Sequence, residues 1–186
     1  MMRSPASAAR VARKSKTAAR APKRPTRAEL RRISLLVLDF DGVMTDNRVL
    51  VDETGREAVW CNRGDGWGIG SVRRAGVDVV VVSTEKNPVV GARCRKLNLP
   101  CIQGCDDKLS AVQRLAEERK LVAANVAFVG NDVNDLACLT WVGVPIVVAD
   151  AEPAVLPVAR LVTRRLGGYG AVREVCDLLE QARLES

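Results

Sequence analysis

Four short apolar runs punctuate this chain: LLVL at 35–38, VVVV at 79–82, VAFV at 126–129 and PIVV at 145–148. None alternates with polar residues, so each reads as a strand covered on both faces rather than one with a wet side. "GWGIGSVRRAGV", "VVGARCRKLN", a stretch over 106–121 and "DVNDLACLTWVG" lie between them and read as helices. Asn87 followed by Pro88 is a helix start, and "GGYGAVREVCDLLEQARLES" is a glycine loop running into a last helix. "PCIQG" adds a short strand, and "TRAEL" a short helical lead-in. Strands alternating with helices predict an α/β domain whose mostly parallel sheet is flanked by helices. Residues 48–61 differ: "RVLVDETGREAVWC" alternates apolar and polar around Glu53-Thr54-Gly55, which predicts a β-hairpin insert.

Polar residues stand where the runs end. The first stops at Asp39 and Asp41, the second at Ser83 and Thr84, and the VAFV run at Asn131, Asp132 and Asp135. In open α/β sheets the carboxyl ends of the strands form the ligand crevice, so these groups are expected to converge. Asp39 and Asp41 are two apart in an extended segment and point the same way. Charges crowded like that raise each other's pKa unless a cation intervenes. Lys108 opens the helix "DDKLSAVQRL", where the positive end of the helix dipole disfavours a cation. It is the natural counter-charge for the carboxylates and for a bound anion.

The chain contains no histidine, which removes Ser-His-Asp hydrolases, histidine phosphatases and imidazole bases together. There is no C-x5-R loop, no G-x-x-x-x-G-K-[ST] phosphate loop and no intact G-x-G-x-x-G. Chemistry is left to carboxylates, hydroxyls, lysines or a metal. The six cysteines form no C-x-x-C pair and read as reduced, cytoplasmic thiols. The net charge of +7 is local: residues 1–28 hold nine Lys or Arg and no acid, leaving 20 basic against 22 acidic residues elsewhere. Residues 1–29 are therefore expected to be a disordered basic tail, with one domain over 30–186. No apolar run is long enough to span a membrane.

In order, "DFDGVMTD", the strand ending in Ser83, Lys108 and "VGNDVND" resemble the motifs of the haloacid dehalogenase (HAD) superfamily of phosphohydrolases, from roughly Ser34 onward. Within it, "DGVMTD", "GDGWGI", "DKLSA", "GNDVNDL" and "GGYGAVRE" resemble the small capless branch. That branch contains 3-deoxy-octulosonate-8-phosphate phosphatases, nonulosonate-9-phosphate phosphatases and the C-terminal domain of some acylneuraminate cytidylyltransferases. The resemblance implies a Rossmann-like HAD fold. It implies Asp39 as a nucleophile that forms an aspartyl-phosphate and Asp41 as acid and base. Mg²⁺ would sit between Asp39, the backbone carbonyl of Asp41 and Asp132. Ser83 and Lys108 would hold the phosphoryl oxygens, with Asp135 supporting Lys108 or a metal-bound water. Only 24 residues separate Ser83 from Lys108, too few for a cap domain. Members of the branch are tetramers in which hairpins pair and a neighbour covers the crevice, so a homotetramer is expected.

The octulosonate branch reads Thr-Gly-Arg after the second strand, whereas this chain reads Ser83-Thr84-Glu85-Lys86. Arg93 and Lys96 follow on one helical face. A Glu with that Arg and Lys resembles the nonulosonate branch, so the expected substrate is a 2-keto-3-deoxy sugar acid 9-phosphate, the alternative being the eight-carbon 8-phosphate. Thr84, Glu85, Arg93 and Lys96 are then expected to bind the sugar acid. Asn62 and Asp65 join them from the family's N-V-R-D-G, which here reads Asn62-Arg63-Gly64-Asp65-Gly66 with the arginine displaced. Two rivals are a non-catalytic oligomerisation domain and a nucleic-acid binder acting through the tail. Retention of Asp39 and Asp132 counts against the first, and the slightly acidic remainder against the second.

Overall fold

A computed structural model describes residues 23–184. It contains strands β1 Leu35–Leu38, β2 Thr45–Val51, β3 Glu57–Cys61, β4 Asp78–Val82, β5 Cys101–Ile102, β6 Val126–Gly130, β7 Val144–Val147 and β8 Leu161–Val162. The helices are α1 Arg27–Arg31, α2 Arg63–Arg74, α3 Val89–Leu97, α4 Lys108–Glu118, α5 Leu136–Trp141 and α6 Ala171–Leu184. Six strands make one parallel sheet in the order β5-β4-β1-β6-β7-β8, and β2 with β3 forms a separate antiparallel hairpin.

The unbroken apolar runs follow from covering both faces. Leu36, Leu38, Val79, Val81, Ala127 and Val129 pack with α1, α2, α3 and α6, while Leu35, Val37, Val80, Val82, Val126 and Phe128 pack with α4 and α5. Phe128 is among the largest fully buried side chains, and Phe128→Ala should cost about 3–5 kcal/mol. β1 lies between β4 and β6. The chain leaves β1 for β4 and β5, then crosses to β6 on the other side. This reversal leaves a crevice at the carboxyl end of β1, with β4 and β6 as its walls.

The hairpin carries little such cover: Val59 and Cys61 pack partly against the core, while Val49, Leu50, Val51 and Trp60 stand exposed. Asp52 accepts backbone N–H bonds from Thr54 (2.9 Å) and Arg56 (3.0 Å), which sets its turn. β2 starts at Thr45, three residues before the predicted hairpin, and the register shifts between Thr45 and Val49. Among the described residues no cap domain is inserted.

Other boundaries shift for local reasons. α2 begins at Arg63, before the glycine-rich stretch, because the Asn62 side chain accepts the Gly64 N–H at 2.7 Å and caps the helix. Asp107 does the same for α4 through Ser110 N–H at 3.0 Å. β8 was not predicted, because two residues are too few to make a pattern. The predicted tail over 1–29 overlaps folded chain. Thr26 and Glu29 form a capping box on α1, and Arg160 donates to the Lys23 carbonyl and to Glu29 Oε1, both at 2.8 Å. Lys23 to Glu29 thus pack on the domain, and the rest of the tail prediction lies outside the described residues. All six cysteines are free, and no described helix is long and apolar enough to cross a membrane.

Candidate active site

Asp39 follows β1 directly and is 4 % exposed. Its Oδ1 accepts the Phe40 N–H at 2.7 Å and takes Lys108 Nζ at 2.8 Å. Both contacts fall on Oδ1, and Oδ2 carries neither. Lys108 is the first residue of α4, 3 % exposed, and its Nζ also lies 2.8 Å from Asp135 Oδ1. The other Asp135 oxygen accepts Asn131 N–H at 2.9 Å, which ties the lysine's partner to the exit of β6. Desolvation of a cation at a helix start is thus offset by two carboxylates.

Burial, then the neighbouring Asp135, pushes Asp39 well above the usual carboxylate range, with Lys108 pulling it back. Burial also works against the charge on Lys108, but Asp39 and Asp135 outweigh it and its pKa is raised. The two shifts favour opposite charge states for the pair. With two carboxylate oxygens at 2.8 Å, the lysine is the cation. Asp41 is also pushed up, first by burial and then by Glu85, against the Thr45 hydroxyl, 3.5 Å from its Oδ1.

Gly42 makes the turn after Asp41. Its φ is +76°, and a Cβ there would meet the Asn131 side chain at 2.1 Å, so only glycine lets the β1 and β6 exits approach. Asp39, Asp41, Ser83, Thr84, Asn131 and Asp132 line one crevice of about 80 Å³, with Asn47 and Asn134 at its rim. Three strand ends therefore meet, as their sequence pattern predicts. Ser83 is 1 % exposed, and its Oγ accepts the Glu85 N–H at 3.1 Å, leaving its own O–H free to donate. A wider cleft of about 270 Å³ adjoins, lined by Asp41, Asn47, Arg48, Glu57 and Glu85 among others. A groove of about 600 Å³ at the β8 edge is larger, but holds none of these strand-end groups.

The remaining predicted residues lie elsewhere. Asp65 is buried beside the start of α6, where its Oδ1 accepts the Arg173 N–H at 2.9 Å. Asn62 caps α2, and Arg93 donates to the Asn62 carbonyl at 2.9 Å. Lys96 lines neither the crevice nor the adjoining cleft. Helical spacing put Arg93 and Lys96 on one face, but it carried no information about what that face meets. The sequence did not single out two lining residues, Asn134 and Asn47, the latter with φ +63°. The signal for Asn47 was an Asn just after the "DGVMTD" stretch, a residue that tolerates left-handed backbone.

The donors around the crevice are all hard oxygens, which suits Mg²⁺. Asn131 Oδ1 is buried there without a partner. Among the described residues no three His, Cys, Asp or Glu side chains could hold an ion by themselves. One or two carboxylates, with waters and phosphate oxygens in the remaining positions, are the arrangement Mg²⁺ takes beside a phosphate.

Known proteins share this frame. The chain is 40% identical over 153 residues to the 3-deoxy-D-manno-octulosonate 8-phosphate phosphatase KdsC of Escherichia coli, covering 82% of this chain and 81% of that one. The chain belongs to the haloacid dehalogenase-like hydrolases. A model of that family matches residues 99–168. Among solved structures, a Streptomyces avermitilis protein assigned to the HAD hydrolases aligns with a TM-score of 0.78 and 47% identity, covering 83% of this chain and 87% of its own. The Moraxella catarrhalis 3-deoxy-D-manno-octulosonate 8-phosphate phosphatase, solved with magnesium, phosphate and KDO, aligns at 0.81 with 28% identity, covering 84% and 91%. This HAD hydrolase is a phosphatase.

Proposed function

We propose that this HAD phosphatase hydrolyses the phosphate ester of a 2-keto-3-deoxy sugar acid, with the eight-carbon 3-deoxy-octulosonate 8-phosphate as first choice. The nine-carbon reading drawn from Glu85, Arg93 and Lys96 gives way to it, since the Escherichia coli and Moraxella catarrhalis relatives are named as phosphatases of the eight-carbon ester and Arg93 and Lys96 stand outside the crevice. The chemistry rests above all on the buried Asp39–Lys108–Asp135 chain beneath the strand ends.

In the proposed mechanism Oδ2 of Asp39 attacks phosphorus in line with the sugar oxygen, and the P–O bond to the sugar breaks. Asp41 gives that oxygen its proton, for which its raised pKa suits it. The aspartyl-phosphate is then opened by water, whose proton returns to Asp41, and phosphate leaves. Ser83 and Lys108 donate to the phosphoryl oxygens as charge shifts. Asp39, the Asp41 carbonyl and Asp132 would hold Mg²⁺, which would neutralise charge on the transferring group. The small crevice suits the phosphoryl group, and the adjoining cleft suits the sugar, with Thr84 and Glu85 at their junction. The exposed hairpin is proposed to pair with other copies in a homotetramer.

The test is phosphate release from a panel of sugar phosphates, with Mg²⁺ and with EDTA, for wild type and Asp39→Asn. Activity on the eight-carbon ester that vanishes in EDTA and falls by several orders of magnitude in the variant is expected. Preference for the nine-carbon ester would restore the other sugar, and an active Asp39→Asn enzyme would overturn the mechanism.

A further inference from the structure

Between β8 and α6 the chain runs Leu166-Gly167-Gly168-Tyr169-Gly170, and none of these residues takes part in the steps above. They lie against the loop that carries Asp41. Gly168 N–H donates to the Val43 carbonyl at 3.0 Å. A Cβ on Gly167 would stand 1.8 Å from the Gly42 carbonyl oxygen, and one on Gly168 would stand 2.4 Å from Asp46 N. The two backbones touch with no room for a methyl group, and Gly168 has a left-handed φ of +70° as well.

The glycine loop has its own brace. Asp150, just beyond β7, accepts the Gly167 N–H at 2.9 Å, and the Thr163 hydroxyl donates to the Arg165 carbonyl at 2.6 Å. On the catalytic side, Thr45 Oγ1 accepts N–H bonds from Gly42 (3.1 Å) and Asn47 (3.2 Å) and reaches Asp41 Oδ1 at 3.5 Å.

We infer that Gly167–Gly170, braced by Asp150, is a positioning element for the acid–base carboxylate. It holds the backbone of residues 42–46 and, through Thr45, the place of Asp41. This rests on Asp41 being the proton donor. An acid displaced by a fraction of an ångström loses its effect on the step that needs the proton.

Asp150→Ala removes the brace without touching the crevice, and Asp150→Asn keeps an acceptor oxygen. Two substrates separate the roles: a sugar phosphate, whose leaving alkoxide needs a proton, and acetyl phosphate, whose leaving group does not. Asp150→Ala should lower kcat/KM for the sugar phosphate about 5- to 20-fold and for acetyl phosphate less than about 2-fold, with Asp150→Asn recovering most of the loss. In an Asp41→Asn background Asp150→Ala should add little, because both act through one group. Amide hydrogen exchange at residues 42–46 should quicken in Asp150→Ala whatever the activity. Equal losses on both substrates, an undiminished Asp150→Ala effect beside Asp41→Asn, or unchanged exchange would each overturn the proposal. If Asp41→Asn alone alters neither substrate, the acid–base assignment fails instead, and exchange still decides whether the loop is a brace.

Discussion

The crevice and the hairpin break opposite rules of burial. At the strand ends Asp39, Lys108 and Asp135 carry polar groups out of water, while on the hairpin Val49, Leu50, Val51 and Trp60 hold apolar surface in it. Buried charges survive only because each has a partner at hydrogen-bond distance, so chemistry and stability there depend on the same bonds. The exposed hairpin residues owe little to their own subunit's core, and a two-stranded ribbon is marginal alone. Substitutions in the first region should therefore damage fold and turnover together, and at exposed hairpin positions away from the sugar cleft, such as Leu50, they should touch association alone.

Lys108→Met is the severest test of that contrast. It leaves two carboxylates side by side in a dry site, which should cost about 3–5 kcal/mol in urea unfolding and abolish most phosphate release. Loss of turnover with unchanged stability would show that the lysine serves only the reaction and that the two properties are separable.

Asp65 is a buried charge outside the crevice, and it sharpens the comparison. Burial pushes its pKa up to about 6, against the Arg173 N–H and nearby arginines, and its Oδ2 has no partner. Its native pKa lies above the unfolded one, so the folded state takes up the proton first. Its ionised form therefore costs stability above pH 6, and that cost fades as pH falls toward 4. The stability of Asp65→Asn relative to wild type should thus decline by about 1–2 kcal/mol between pH 8 and pH 4 in paired denaturation curves. A flat difference would mean that Asp65 does not carry this shift.

Leu50→Asp on the hairpin should change unfolding of the single subunit by no more than about 0.5 kcal/mol, while sedimentation shows assemblies dissociating. A large stability loss at a concentration where wild type is monomeric would merge the two regions. The smallest effect is expected from deleting residues 1–22. Neither kcat nor the unfolding midpoint should move, and a clear drop in either would bring that segment into the comparison.

Much of this molecule is local, and so readable along the chain. Apolar runs had to become strands covered on both faces. Asp39, Asp41, Ser83 and Asp132 had to stand at strand ends, since polar residues closing such runs have nowhere else to go. Glu53-Thr54-Gly55 marked the hairpin, and short intervals excluded a cap. Contact between remote segments was decided only in three dimensions. Asp65 looked like a ligand of the sugar, yet it accepts an N–H from a helix more than a hundred residues further on. Arg93 shares a helical face with Lys96 but turns to the Asn62 carbonyl. β8 exists because β7 offers it an edge, not because two residues prefer a strand. Periodicity reports the side of an element that is buried and is silent about what covers it. Which backbone lies against Gly167, and which carboxylates share Lys108, came only with the packing of the whole chain.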